Sequence, residues 1–158
     1  MTLRCLATAA ALALMTALPL HAAEKKIGRV GDFDIIVITE KGKFDRCTAQ
    51  STNGSGALRL AYNTRGEYAL SIPGIKGKRK GPMSVTFDGG TTYDLNGAGA
   101  TTERAWVMLG AGPVDSFLNA TDSVDVTFAG RRFTWVLYNQ TMEDMFIAIE
   151  NCTIERSR

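Results

Sequence analysis

The chain of 158 residues holds a single histidine, His21. It stands at the expected end of an N-terminal leader, so the segment that follows has none. Without imidazole there is no Ser-His-Asp or Cys-His nucleophile–base pair, and the usual zinc and copper ligand sets are missing. Phosphate-cradling loops are missing too. Gly54-Ser-Gly56 and Gly97-Ala-Gly99 follow neither a Walker nor a dinucleotide pattern, and no helix is expected right after them, so they read as turns. No sign of charge dominates: of 18 Lys and Arg only Arg4 lies in the leader, leaving 17 against 16 acids. That balance demands neither nucleic acid nor a membrane. Beyond residue 23 no apolar run is long enough to span a bilayer.

What is present starts with that leader. Arg4, the apolar run Leu6 to Leu18 and the small residues Ala22 and Ala23 form a charged region, a short hydrophobic region and a cleavage site. Residues 1–23 are therefore expected to be a signal peptide, and 24–158 one domain of about 135 residues. Export places the chain in the periplasm or outside the cell. Of the 3 cysteines, Cys5 leaves with the leader, and Cys47 and Cys152 remain as an even pair in an oxidising compartment. They are expected to form a disulfide.

The domain reads as short alternating strands. Phe33, Ile35 and Val37 share one face, as do Leu58 and Leu60, Tyr68 and Leu70, Met83 and Val85, Val124 and Val126, and Phe133 and Trp135. Thr52 to Gly56 is a turn, Pro73 to Gly81 a Gly- and Lys-rich loop, and Asn96 to Thr102 a second loop. Ala105 to Leu109 reads as a strand buried on both faces, with Trp106 and Trp135 both expected in the core. Val114 to Asn119 suits a short helix with Pro113 at its first position. The last helix is the clearest element: Met142, Met145, Phe146, Ile149 and Cys152 recur at helical spacing, and Thr141 with Asp144 resembles a capping box. Cys152 would tie its end back to the strands. Together these elements predict a mainly β domain, an antiparallel β-sandwich of about nine short strands with two helices.

Candidate chemistry is sparse. Close carboxylates occur at Asp32/Asp34, Asp122/Asp125 and Glu143/Asp144, and each has a local explanation at a strand start or a first helical turn. Asp122, Ser123 and Asp125 lack the spaced ligands of a calcium loop. Neither a catalytic residue, a metal nor a cofactor is assigned. The conspicuous surface feature is the basic loop Lys76, Lys78, Arg79 and Lys80, which suits either a solvated loop or an anionic partner such as an envelope surface or an acidic protein face.

Gly31-Asp32-Phe33, then Arg46-Cys47-Thr48-Ala49, then Phe87-Asp88-Gly89 and a short helix before the last hairpin form an order of motifs. In layout it resembles the invasion-associated locus B family and related small exported bacterial proteins. The resemblance implies a β-sandwich in the cell envelope, with no catalytic residues to carry over. The expected function is an exported, non-catalytic binding or envelope accessory protein. The alternatives are a small inhibitor that inserts the loop Pro73 to Gly81 into an enzyme's cleft, and a carboxylate-dependent glycan hydrolase.

Overall fold

Ten strands, most of them with alternating apolar and polar side chains, form in a computed structural model that describes residues 22–78, 80–101, 103–138 and 142–158. Residues 1–21 of the expected leader, Arg79 and the expected helix cap Thr141 lie outside the described residues. The first five strands are β1 (Ala23–Val30), β2 (Phe33–Glu40), β3 (Lys43–Ser51), β4 (Leu58–Asn63) and β5 (Tyr68–Pro73). Then come β6 (Lys80–Phe87), β7 (Thr92–Ala100) and β8 (Arg104–Leu109), the helix α1 (Ala111–Leu118), the hairpin β9 (Ser123–Phe128) and β10 (Arg131–Val136), and the helix α2 (Met142–Arg156).

All strands join one antiparallel sheet in the order β1-β2-β3-β4-β5-β8-β7-β6-β9-β10. The expected sandwich of two sheets is therefore corrected to a single curled sheet, a half-barrel. The reason lies in the middle: β5 and β8 pair along their whole lengths, Tyr68 with Leu109 through Pro73 with Arg104, so the ladder never breaks into two layers. Register shifts at Lys26/Gly28, Ile38/Thr39 and Gly81/Met83 mark bulges, which sharpen twist and curl. The inner face then curls around one core. Phe33, Leu60, Leu70, Val85, Val107 and Val126 are buried there, and the two helices fill the space that a second sheet would occupy.

Phe117 on α1 packs between Phe87, with ring centroids 5.3 Å apart, and Phe146 on α2, at 5.9 Å. The disulfide Cys47–Cys152 joins β3 to α2 across 105 residues of sequence. Beside it the Thr153 hydroxyl donates to the Tyr62 carbonyl at 2.9 Å and accepts from the Cys47 amide at 3.3 Å. Helix α2 runs on to Arg156, one turn past the expected stop at Cys152, and α1 begins at Ala111, so Pro113 is not at its first position.

The far edge of the sheet is clasped by the β3–β4 turn. Gly54 forms a bridge with Trp135; the Ser55 amide donates to the Thr134 carbonyl and the Val136 amide to the Asn53 carbonyl, both at 2.9 Å. A Cβ on Gly54 would stand 2.1 Å from the Thr134 carbonyl oxygen, so only glycine permits this approach. The clasp occupies hydrogen-bonding groups on β10 that would otherwise stay open as an edge.

Two strands differ from expectation. β1 was not anticipated, because nearly every residue of it is exposed and the stretch carries no apolar alternation. β7 extends to Ala100 through the expected loop at Asn96, since small residues there, Ala98 and Ala100, bury against the core without a recognisable pattern.

Candidate functional site

The outer face of β2 to β5 and β8 carries a second, unexpected set of buried side chains. Register decides which residues meet. Arg59 on β4, Ser71 on β5 and Trp106 on β8 lie in one cross-strand row; Thr48, Ala61, Ala69 and Met108 form the next; Arg46 and Asn63 begin a third. On a flat sheet Glu40, at the end of β2, and Met108 would stand at least about 19 Å apart, four inter-strand steps. Here they line the same groove of about 570 Å³, so the outer face is itself concave at this end. That volume lies within the usual span of small-molecule sites, about 300 to 1,000 Å³.

The floor is apolar, formed by the buried Ile38 and Ala61. Set into it is Thr48, only 1% exposed, whose hydroxyl has no hydrogen-bond partner among the described residues. Arginines stand around it. Arg59 makes a two-pronged pair with Glu24 of β1, at 2.6 and 2.7 Å, and its Nε donates to the Gln50 side chain at 2.7 Å. Arg46 meets Asp45 and, at 3.7 Å, Glu40. Arg65 pairs with Glu67 at 2.8 Å.

Arg104 is different. Its Nη1 donates to the Ala57 carbonyl at 2.7 Å, and its Nη2 to the Ser71 carbonyl and hydroxyl, each at 2.8 Å. Among the described residues its Nε is buried without an acceptor, and the side chain makes no ion pair. Burial first, and then repulsion from Arg59, push its pKa down to about 10, with Glu24 pulling the other way. It is thus a guanidinium that stays charged at neutral pH, and the carboxylate nearest to balancing it, Glu24, is bonded to Arg59 instead. A buried donor left without a partner is costly, and a ligand acceptor that reached it would recover that cost.

Trp106 corrects the expectation that both tryptophans are core. Trp135 is fully buried, with its indole N–H donating to the Gly56 carbonyl at 2.7 Å, whereas Trp106 is 42% exposed and lines the groove. β8 is correspondingly not buried on both faces: Ala105, Val107 and Leu109 point inward, while Trp106 and Met108 point out. The indole lies directly on Gly99 of β7, where a Cβ would meet its Cζ2 at 2.7 Å and its Cε2 at 2.8 Å. Glycine there acts as the seat of the ring.

The residues singled out from sequence fall elsewhere. Cys47 and Cys152 are bonded and structural. Lys76 and Lys78 are exposed in the turn before β6, and Lys80 is the first residue of that strand rather than part of the loop. Lys80 pairs with Gly99, which in turn pairs with Trp106, so it continues the Trp106 row without lining the groove. Asp32 and Asp34 are paired to Arg29 and Lys26, at 3.4 and 2.6 Å. Asp125 is held by Arg132 at 2.7 Å, and that hydrogen bond keeps its carboxyl below the usual carboxylate range. The Asp122 and Ser123 amides instead donate to Asp88, at 2.8 and 2.9 Å. Among the described residues no three His, Cys, Asp or Glu side chains gather to hold a metal ion.

The groove therefore offers cationic forks, a buried hydroxyl and an aromatic wall. Its lining acids Glu40, Asp45 and Glu67 are each committed to an arginine, which suits them poorly to moving protons. Sequence reasoning missed it because each strand contributes a single arginine among its polar alternates. Only the register shows that Arg46, Arg59 and Arg104 converge.

Together these features define a disulfide-tied half-barrel with a groove on its outer face that is lined by arginines, their paired acids and an indole. No family model, curated protein or solved structure matches the chain.

Proposed function

We propose that this chain is a non-catalytic binding protein that takes a small organic anion in its outer-face groove. One observation carries the reading: Arg104 makes no ion pair among the described residues and has an orphan Nε, and the orphan Thr48 hydroxyl lines the same open groove. Buried polar groups in folded proteins ordinarily find partners, so such a pair in a concave site points to an outside acceptor. Arginine forks suit carboxylates and phosphates, which accept two parallel hydrogen bonds.

An exported setting accords with this reading. The leader-like N-terminus supports it, as do the Cys47–Cys152 bond and the layout resemblance to envelope proteins of the invasion-associated locus B kind. Among the described residues no helix is long and apolar enough to cross a membrane. The periplasm or the cell exterior is accordingly the proposed location, and the basic residues Lys76, Lys78 and Lys80 would face an anionic surface there.

Thermal unfolding in the presence of acetate, benzoate, 2-naphthoate or phosphate tests the binding role. A ligand that binds only the folded state at about a hundred times its Kd adds roughly 2.7 kcal/mol, a shift of several degrees for a domain of this size. The melting point of the wild type should rise with at least one of these anions, and Arg104→Gln should abolish the rise. Equal behaviour of both proteins with every anion would refute the reading.

A further inference from the structure

Arg59, a lining residue of the groove, already carries a carboxylate from outside that lining, and it belongs to the chain. Glu24 on β1 reaches Arg59 across β2 and β3, three inter-strand steps or about 14 Å on a flat sheet. Both oxygens engage both Nη atoms, the fork geometry that a ligand carboxylate would use. β1 is an edge strand with its side chains almost entirely in water, and it is bulged between Lys26 and Gly28. Such a strand is held chiefly by its ladder to β2, and its early residues can move at little cost in burial. Across the row from Arg59, two strand steps or about 10 Å away, Trp106 offers the open face of an indole whose other face is seated on Gly99.

We propose that Glu24 is a built-in competitor, and that the natural ligand is a flat aromatic carboxylate whose head displaces Glu24 from Arg59 while its ring lies against Trp106. The proposal rests on the reading of the groove as a binding site and adds the ligand class and its regulation. Displacement exchanges one ion pair for another, so selectivity comes from the ring. Stacking on Trp106 and contact with Met108 favour a flat aromatic acid over an aliphatic one. The Glu24 carboxylate, once released, is left in water on an exposed strand. Apparent affinity in such a system is the intrinsic affinity reduced by the fraction of sites that are open.

The test is calorimetric titration of 2-naphthoate, acetate and the uncharged 2-naphthalenemethanol into wild type, Glu24→Gln, Trp106→Leu and Arg104→Gln. Glu24→Gln should bind 2-naphthoate about three- to tenfold more tightly than wild type, as removal of a competing occupant requires. Trp106→Leu should lose most of the preference for 2-naphthoate over acetate, and 2-naphthalenemethanol should bind to none of the proteins. In the wild type, the Arg59 Hε resonance should shift on titration, a readout independent of any substitution. Unchanged or weaker binding by Glu24→Gln, with Arg104→Gln still abolishing it, overturns the competitor while the groove stands. No preference for 2-naphthoate over acetate in the wild type overturns the ligand class. Absence of binding to wild type and Glu24→Gln alike overturns the groove reading as well.

Discussion

Breaking the Cys47–Cys152 bond should weaken the protein without dismantling it. The two cysteines stand 105 residues apart, with Cα atoms 6.0 Å from each other. Closing a loop of that length removes conformational entropy from the unfolded chain worth about 4 to 5 kcal/mol at 25 °C. The folded side loses little, because α2 stays anchored through buried Met145, Phe146 and Ile149, through the Thr153 hydroxyl on the Tyr62 carbonyl, and through the Tyr68 hydroxyl on Glu150. With a urea slope of about 2 kcal/mol per molar, the unfolding midpoint should fall by roughly 2 M on reduction. Fully buried Trp135 gives the fluorescence signal, and Cys47→Ala with Cys152→Ala should reproduce the reduced midpoint. A shift under about 0.5 M would show that chain entropy is not how this bond acts. Loss of native fluorescence in the reduced protein without urea would show that α2 depends on the bond for docking.

Phe117→Ala empties a fully buried site between Phe87 and Phe146 and should cost about 3 to 5 kcal/mol in chemical denaturation. Gly54→Ala drives a methyl into the Thr134 carbonyl and should open the clasp on β10, read as faster hydrogen exchange at the Ser55 and Val136 amides with the core unaffected. Burial raises the Asp88 pKa, but the amides of Ser123, Asp122 and Thr121 lower it further, leaving the carboxyl below its ordinary value. A depressed folded pKa gives stability that is full above the unfolded value of about 3.9 and is lost as pH falls through the folded one. Urea midpoints measured from pH 7 to below 4 should therefore drop less steeply for Asp88→Asn than for wild type.

The inner face of the fold was legible from sequence wherever alternation was strict. Phe33, Leu60, Leu70, Val85, Val126 and Trp135 are all buried in the core, as are Met145 and Ile149 of α2. Period-two patterns report one buried face and nothing about the other. β1 carried no such pattern because its role is to pair and to present Glu24, and neither needs an apolar stripe. Trp106 and Met108 were misplaced because an apolar run on β8 looks the same whether its outer side meets protein or a groove. A single sheet rather than a sandwich could not be read either, since the pairing of β5 with β8 depends on a connection that runs through two strands, β6 and β7, and not on any local signal. The arginines were visible as letters but not as neighbours: Arg46, Arg59 and Arg104 come together only through the ladder and its curl.

The most direct measurement is a crystal of the protein soaked with 4-bromobenzoate, with anomalous scattering used to place the bromine. The groove reading predicts a peak beside the Trp106 indole, with the carboxylate on the Arg59 and Arg104 guanidiniums and the Glu24 side chain turned away. An empty groove at saturating ligand, or a peak elsewhere with Glu24 still on Arg59, would contradict it.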